Sequence, residues 1–107
     1  MYNEYSGFFK SQRDKYFKKI LSNHFKNIPL VVDVGCGQGD FLIQAKELGI
    51  NAEGIDDKDF WVTRCVKKGL KVKKGSIFEI PYDDNSVDGI FLQSVFKKFT
   101  KKTYRWR

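Results

Sequence analysis

The sequence is poor in the residues from which disulfide frameworks and metal sites are built. It contains two cysteines and one histidine in 107 residues, and neither cysteine stands in a metal-ligand spacing. It also lacks an apolar run long enough to cross a membrane, and its polar, charged N-terminus does not resemble a signal peptide. These absences exclude the disulfide-rich secreted and membrane-spanning classes. They predict a cytoplasmic protein with reduced thiols and no metal.

Aromatic residues, in contrast, are abundant. They make up 16% of a chain that is 41% hydrophobic, and ten of them are phenylalanines, which predicts a packed core in one small domain. The formal net charge of +7 is unevenly distributed, because the last eleven residues, KKFTKKTYRWR, hold six basic residues and no acid. We therefore predict a nearly neutral domain over residues 1–96 and a basic aromatic tail over residues 97–107.

The basic tail has two interpretations. Phe99, Tyr104 and Trp106 are interleaved with its charges, a pattern that can bind phosphates while stacking bases. Alternatively, the aromatic side chains pack on the fourth strand, or the tail is a solvated end. We favour a packed or a solvated tail over nucleic-acid binding, because a run of charge is by itself a weak indication of such binding.

The most informative segment is VVDVGCGQGDF, residues 31–41. Its three valines form a β-branched apolar run, which is typical of a buried strand. Three glycines follow at every second position, and they allow the backbone to turn tightly and to approach a ligand closely. Apolar residues at helical spacing come next. The segment therefore predicts a strand, a glycine turn and a helix, the arrangement of a nucleotide-type site at the carboxyl end of a sheet.

The spacing of the glycines indicates which nucleotide. In the dinucleotide motif G-x-G-x-x-G the pyrophosphate lies on the helix N-terminus, but here the third glycine comes one residue early and Asp40 takes its place. A carboxylate there would repel a pyrophosphate, and Asp33 adds a second acid before the turn. An adenosyl ligand with positive charge and no phosphate fits better. S-adenosylmethionine, with its sulfonium, ammonium and carboxylate groups, is such a ligand.

The segment D-V-G-C-G-Q-G, residues 33–39, resembles the first motif of the class I S-adenosylmethionine-dependent methyltransferases. The next strand ends in Asp56 and Asp57, about twenty residues beyond the first glycine, where a ribose-binding acid belongs. Residues 73–95, KKGSIFEIPYDDNSVDGIFLQSV, are similar to the family's stretch from strand three into strand four. Three motifs in the family's order are a more specific signal than one glycine motif.

This resemblance implies a site for S-adenosyl-L-methionine and its product S-adenosyl-L-homocysteine. The methionine part would contact the glycine turn, the ribose the acids after strand two, the adenine the residues after strand three, and the methyl-transfer side the residue after strand four. In that order the implied residues are Asp33, Gly35, Cys36, Gly37 and Gly39; Asp56 and Asp57; Ser76 and Ile77; and Gln93. The family often has a Gly-Asp pair at the adenine, where this chain has Gly75 and Ser76.

The resemblance also implies the fold, an α/β Rossmann-like three-layer sandwich with helices on both faces of a mainly parallel sheet. We place four strands, in the order 3-2-1-4, near residues 30–34, 51–56, 70–74 and 87–92, and helices near residues 11–27, 40–48 and 58–68. The family's sheet has seven strands, so the prediction is an incomplete domain that corresponds to the family's amino-terminal half. The exposed apolar edge of strand four then predicts a homodimer, a partner chain or coverage by the tail.

The predicted function is methyl transfer from S-adenosylmethionine to an unidentified acceptor. Residues 92–95 match neither the Asn-Pro-Pro-Tyr motif nor the Glu-His pair of known methylase groups, so no catalytic residue is assigned. Alignment alone can supply most of the barrier reduction for an in-line displacement, so the lack of a base does not exclude catalysis. Two alternatives stay open: a non-catalytic S-adenosylmethionine-binding module or remnant, and a nucleic-acid-binding protein that uses the tail.

Overall fold

A computed structural model of the protein describes residues 4–83 and 85–92. Helices and strands alternate along these residues up to the last two strands, which follow each other without a helix between them. The elements are α1 (Glu4–His24), β1 (Val31–Val34), α2 (Asp40–Glu47), β2 (Ala52–Asp56), α3 (Asp59–Lys67), β3 (Val72–Lys74) and β4 (Gly89–Leu92). Helix α1 begins well before residue 11, where we predicted its start. No helix in the described ranges combines the length and apolar character needed to cross a membrane.

The four strands form one parallel sheet with the order β3-β2-β1-β4. This confirms the predicted Rossmann-like fold and its strand order. All four residues of the central strand β1 are buried, and Asp33 lies opposite Gly54 of β2 on one side and Phe91 of β4 on the other. Because the strands are parallel, the residues that follow β1 and β2 meet at the same edge of the sheet.

Helices α1 and α2 pack on one face of the sheet through aromatic side chains. The ring of Phe41 stacks on that of Phe91, with centroids 4.1 Å apart and planes 6° from parallel. Phe17 of α1 meets Phe41 edge-on at 5.4 Å. Helix α3 joins this face through a neighbouring cluster, which contains Cys36, Leu42, Cys65 and Leu70. The start of α2, and with it the glycine turn, is thus held between the sheet and two other helices.

The opposite face of the sheet is covered by the connection between β3 and β4, residues 75–88. Ile77 and Ile80 of this connection are buried against the sheet. The Tyr82 hydroxyl donates a 2.6 Å hydrogen bond to Glu53 Oε1 on β2, and burial raises the pKa of Tyr82. Within the described residues, an irregular segment therefore covers this face, and it is held there by apolar packing and by the hydrogen bond from Tyr82 to Glu53.

Strand β4 is an edge strand in the described part of the chain, where it pairs with β1 alone. The segment that would cover its outer edge, the basic tail of residues 97–107, lies outside the described residues. The homodimer or partner chain that we expected at this edge, and the domain boundary at residue 96, therefore stay predictions.

Candidate cofactor-binding site

The candidate site is built around the glycine turn at the carboxyl end of β1. Gly35, Gly37 and Gly39 have φ angles of 78°, 55° and 89°, a region that L side chains rarely adopt. At Gly39, a Cβ atom would also lie 2.6 Å from Leu70 Cδ1 and 3.1 Å from Cys65 Sγ. Glycine is therefore required both by the path of the turn and by its close contact with α3.

Most backbone amides of the turn are already hydrogen-bonded within the protein. The N–H groups of Gly35 and Cys36 both donate to the Ile55 carbonyl, at 2.8 and 3.0 Å, and the Gly39 N–H donates to Cys36 O at 2.9 Å. The Gln38 N–H, in contrast, has no acceptor within residues 4–83 and 85–92. Together with the free amides in the first turn of α2, it is a donor available to a ligand.

Asp56, the last residue of β2, joins the two strand ends. Its side chain is buried; Oδ2 accepts a 2.9 Å hydrogen bond from the Gly37 N–H, and Oδ1 accepts one of 3.0 Å from the Lys58 N–H. Each oxygen keeps a second lone pair with which it can accept a hydroxyl. The neighbouring Asp57 is exposed, and its carboxylate lies 3.8 Å from Lys58 Nζ. The structure therefore brings Asp56, and not Asp57, to the glycine turn.

Asp33 differs from Asp56, because its carboxylate has no hydrogen-bond or ion-pair partner among the described residues. It is only 3% exposed. Burial, reinforced by the negative charge of Asp56, raises the pKa of Asp33 to about 8. Burying a carboxylate without a partner is costly, and a cation that reached it would be bound favourably. Asp33 is thus suited to a cationic group of a ligand.

A cavity of about 200 Å³ lies in front of the turn. Its walls include Asp33, the residues of the turn, Arg13 and Phe17 of α1, and Phe91 of β4. Pockets that enclose a whole small-molecule ligand usually measure about 300–1,000 Å³. The cavity is therefore large enough for one part of a nucleoside-sized ligand, and Gln38 and Asp33 are among the residues that line it.

Arg13 is a site residue that sequence reasoning missed. Its Nη2 donates to Asp40 Oδ2, which also accepts a 2.9 Å hydrogen bond from Gln38 Nε2. Lys10 Nζ lies 4.0 Å from the other carboxylate oxygen of Asp40. The charge of Asp40 is thus countered by two cations, which weakens our argument that it would repel a pyrophosphate. The 27 residues between Arg13 and Asp40 explain why no local pattern indicated the pair.

Two hydrogen-bond donors at the C-terminal end of α3 contact the turn: Cys65 in the last turn of the helix and Lys68, the residue after it. Cys65 Sγ lies 3.2 Å from the Gly37 carbonyl oxygen and donates to it, and Lys68 Nζ donates to the Gln38 carbonyl oxygen at 2.8 Å. Cys36 is packed beneath the turn, since a Cβ atom at Gly54 would lie 2.7 Å from Cys36 Sγ. Burial raises the pKa of Cys36. Cys36 therefore contributes its backbone, and not a reactive thiolate, to the site.

The residues expected at the adenine lie beside the end of β2, but in two environments. The Gly75 N–H donates to the Asp56 carbonyl at 3.0 Å, which places Ser76 next to that strand end. Ser76 Oγ accepts a 3.1 Å hydrogen bond from the Phe78 N–H, and its own proton stays free to donate. The Ile77 side chain is instead buried against the sheet. Gln93, expected at the methyl-transfer side, lies outside the described residues.

Known proteins with similar sequences are methyltransferases. Residues 15–103 match the family model described as "Methionine biosynthesis protein MetW". The chain is 30% identical over 102 residues to a sterol 24-C-methyltransferase from Pneumocystis carinii, covering 78% of this chain and 27% of that protein. It is 34% identical over 74 residues to a tRNA (guanine-N(7)-)-methyltransferase from Ureaplasma parvum, covering 65% of this chain and 33% of the relative. The chain thus spans a third or less of these relatives.

Three solved structures are also similar to this chain. A SAM-dependent methyltransferase from Archaeoglobus fulgidus is 31% identical with a TM-score of 0.50, and the match covers 70% of this chain and 36% of the other. One from Thermotoga maritima is 26% identical with a TM-score of 0.61, covering 84% and 42%. A protein from Pyrococcus horikoshii, 17% identical with a TM-score of 0.67 over 75% and 41%, shares the fold. The chain therefore belongs to the MetW family and has the Rossmann-like fold of the S-adenosylmethionine-dependent methyltransferases.

Proposed function

We propose that this chain binds S-adenosylmethionine and S-adenosylhomocysteine and provides the methyl-donor site of a methyltransferase. The observation that carries the proposal is the buried carboxylate of Asp33, which has no partner among the described residues. Asp33 lines the same cavity as Gln38, whose backbone N–H also has no acceptor among those residues. A ligand with an ammonium and a carboxylate on one carbon complements both groups. The methionine part of S-adenosylmethionine has this arrangement.

The residues of the site fit the rest of the cofactor. The backbone N–H of Gln38 and the backbone N–H groups in the first turn of α2 would hold the carboxylate, helped by the positive end of the helix dipole. Asp33 would accept the ammonium, and the free lone pairs of Asp56 would accept the two ribose hydroxyls. Ser76 lies where it can donate to the adenine. The cofactor supplies an electrophilic methyl group on a positive sulfur, and the protein supplies alignment.

The methyl acceptor is not identified by the relatives. Two of them are named for a sterol and for a tRNA guanine, which are chemically unlike each other. We therefore propose donor binding and methyl transfer without committing to an acceptor, and Gln93 stays our candidate for the methyl-transfer side. Cys36 and Cys65 are both free thiols, which supports the further proposal that the protein is cytoplasmic.

Calorimetry with S-adenosylmethionine, S-adenosylhomocysteine and NAD tests the proposal. We expect the two adenosyl ligands to bind and NAD not to bind. At about a hundred times its dissociation constant, either adenosyl ligand should raise the free energy of unfolding by about 2.7 kcal/mol. The variant Asp33→Asn should bind more weakly, whereas Asp83→Asn, in an exposed turn, serves as the matched control. Tighter binding of NAD than of either adenosyl ligand would contradict the proposal.

A partner at the outer edge of β4 is a separate proposal. In the described residues this strand pairs on one side only, which supports coverage of the other side by the tail, by a second copy or by a partner chain. Light scattering on the full chain and on a version ending at Val95 tests it. If the shortened version is a soluble, compact monomer at high concentration, the edge needs no cover.

A further inference from the structure

We infer that Cys65 and Lys68 are positioning residues for the cofactor, because they fix two successive peptide groups of the glycine turn and so present the Gln38 N–H to the cofactor carboxylate. This inference rests on the proposed cofactor binding. It assigns a binding role to α3, whose residues lie behind the turn and outside the sequence motifs.

The orientation of the peptide groups follows from the two hydrogen bonds. Cys65 Sγ donates to the Gly37 carbonyl at 3.2 Å, so this carbonyl points toward α3. In a planar trans peptide the C=O and N–H bonds point in opposite directions. The N–H of the same peptide, which belongs to Gln38, therefore points away from α3, and Gln38 is one of the residues that line the cavity.

The second bond holds the next peptide group. Lys68 Nζ donates to the Gln38 carbonyl at 2.8 Å, and the N–H of that peptide, on Gly39, donates to Cys36 O at 2.9 Å. Both ends of this peptide are thus occupied within the protein. Hydrogen bonds in such a chain polarise one another, and the ammonium of Lys68 adds a full charge behind the turn.

The turn needs this support because of its glycines. Gly37 lacks the side chain that would restrict its ψ angle, so it does not by itself fix the orientation of the peptide between Gly37 and Gln38. Rotation would turn the Gly37 carbonyl oxygen toward the cavity in place of the Gln38 N–H. An anion would then meet an acceptor where it needs a donor, so the orientation of one peptide decides whether the carboxylate is bound.

The backbone that carries the two donors is fixed by the hydrogen bonds at the end of α3. Lys68 is the C-cap residue, and the turn that follows closes with hydrogen bonds from Gly69 N to Val66 O and from Leu70 N to Cys65 O, both of 3.0 Å. This is the Schellman pattern, which fixes the last turn of a helix. Cys65 is fully buried and three residues before Lys68, so both donors lie on the same side of the helix.

The variant Lys68→Met tests the inference, with Lys67→Met as the matched control on the adjacent exposed lysine. Binding of S-adenosylhomocysteine and of 5′-methylthioadenosine is measured by calorimetry on the full chain. The two ligands share the adenosine and the thioether, but the second lacks the carboxylate and the ammonium. We expect Lys68→Met to weaken S-adenosylhomocysteine about 3- to 10-fold and to change 5′-methylthioadenosine less than about twofold. Lys67→Met should change neither.

Equal weakening of both ligands by Lys68→Met would overturn the inference, because it would indicate a general loosening of the fold. No weakening of either ligand would overturn it as well. For Cys65 we expect Cys65→Ser, which keeps a donor, to bind S-adenosylhomocysteine more tightly than Cys65→Ala, and the opposite order would contradict the role assigned to the thiol.

A measurement without ligand separates this inference from the proposed function. In the free protein, Lys68→Met should shift the amide NMR signals of Gln38 and Gly39 and speed their hydrogen exchange, and Lys67→Met should not. Unchanged signals overturn the inference even if the cofactor binds. Failure of the unmodified chain to bind either adenosyl ligand overturns the proposed function, and the role of Lys68 in binding falls with it, whatever the NMR signals show.

Discussion

The carboxyl ends of β1 and β2 both carry a buried aspartate, but only one of the two has partners within the protein. Asp56 at the end of β2 accepts hydrogen bonds from two backbone amides. Asp33 near the end of β1 accepts none in the described part of the chain, although it is buried at least as deeply. Burial alone therefore does not distinguish the two aspartates; the missing partner of Asp33 does.

The backbone N–H groups that follow the two strands also differ in whether they have an acceptor. After β2, the Lys58 amide is bonded to Asp56, so this amide and each carboxylate oxygen of Asp56 already have one protein partner. After β1, the Gln38 amide has no acceptor among the described residues, and a carboxylate without a partner lies across the same cavity. In the described residues, the β2 end thus has its polar groups paired within the protein, whereas the β1 end keeps one N–H and one carboxylate without a partner.

The largest expected effect concerns the carboxylate at the β1 end. In the unfolded chain an aspartate ionises near its ordinary pKa of about 3.9, whereas burial holds the pKa of Asp33 at about 8. Between these values the folded state binds more protons, so its stability falls as the pH rises and levels off above pH 8. From pH 5 to pH 7 this loss amounts to about 3 kcal/mol, and Asp33→Asn should abolish it. Urea unfolding of the unmodified protein and of Asp33→Asn at several pH values gives the free energy of unfolding as a function of pH. If it changes with pH equally in the two proteins, Asp33 ionises near its ordinary pKa.

The next effect concerns the contact that joins the two strand ends. Gly54 of β2 lies beneath the turn, and a Cβ atom there would lie 2.7 Å from Cys36 Sγ and 2.9 Å from Cys36 Cβ. We expect Gly54→Ala to lower the free energy of unfolding by about 2–3 kcal/mol, because the turn or α2 must move. Gly89→Ala in β4 is the matched control. Its Cβ would lie 3.1 Å from a Phe25 ring carbon, so it should cost about 1 kcal/mol. If urea unfolding shows the same loss of unfolding free energy for both variants, the residues around Gly54 shift as readily as the Phe25 ring.

The predictable parts of this site are those that are contiguous in sequence. The strand, turn and helix from Val31 to Glu47 follow one another, so valine propensity, glycine freedom and helical periodicity indicated them directly. The order of the strands was predicted from the resemblance, because pairing between separated segments leaves no local pattern. The described structure agrees with both predictions.

The parts that could not be predicted are polar contacts between distant residues. The hydrogen bond from the Gly37 N–H to Asp56 joins residues that are 19 apart. Arg13 and Asp40 are 27 residues apart, and Lys68 and Gln38 are 30 apart. Which cation of an amphipathic helix reaches a site depends on how the helix rotates against the sheet, and periodicity does not fix that rotation.

A smaller effect concerns cofactor binding at the β2 end. We expect Asp56→Ala to weaken S-adenosylhomocysteine by about 2 kcal/mol, since it removes a charged acceptor and releases the Gly37 amide. Asp59→Ala is the control, because Asp59 is exposed and, in the described part of the chain, forms a surface ion pair of 3.2 Å with Lys74. Calorimetry on the two variants measures the difference. If both lose affinity equally, the acids after β2 act as a diffuse negative field, and the comparison between the strand ends fails.

The smallest effect concerns the cation that crosses from α1 to the β1 end. Arg13 donates to Asp40 in the first turn of α2, and its side chain is 37% exposed, so the pair should contribute about 0.5–1 kcal/mol. We expect Arg13→Gln to weaken S-adenosylhomocysteine by this amount, because Asp40 then repels the cofactor carboxylate more strongly. Lys19→Gln, at an exposed position on the same helix, should have no effect.

A double variant decides why Arg13 matters. If Arg13 acts by neutralising Asp40, then Asp40→Asn in the Arg13→Gln background should restore binding to nearly the original affinity, and the two changes should be non-additive. If Arg13 instead contacts the cofactor carboxylate itself, the loss should persist in the double variant. The first result would confine ligand contacts at the β1 end to Asp33 and backbone amides. The second would add a side-chain cation to that end and would sharpen its contrast with the self-contained end of β2.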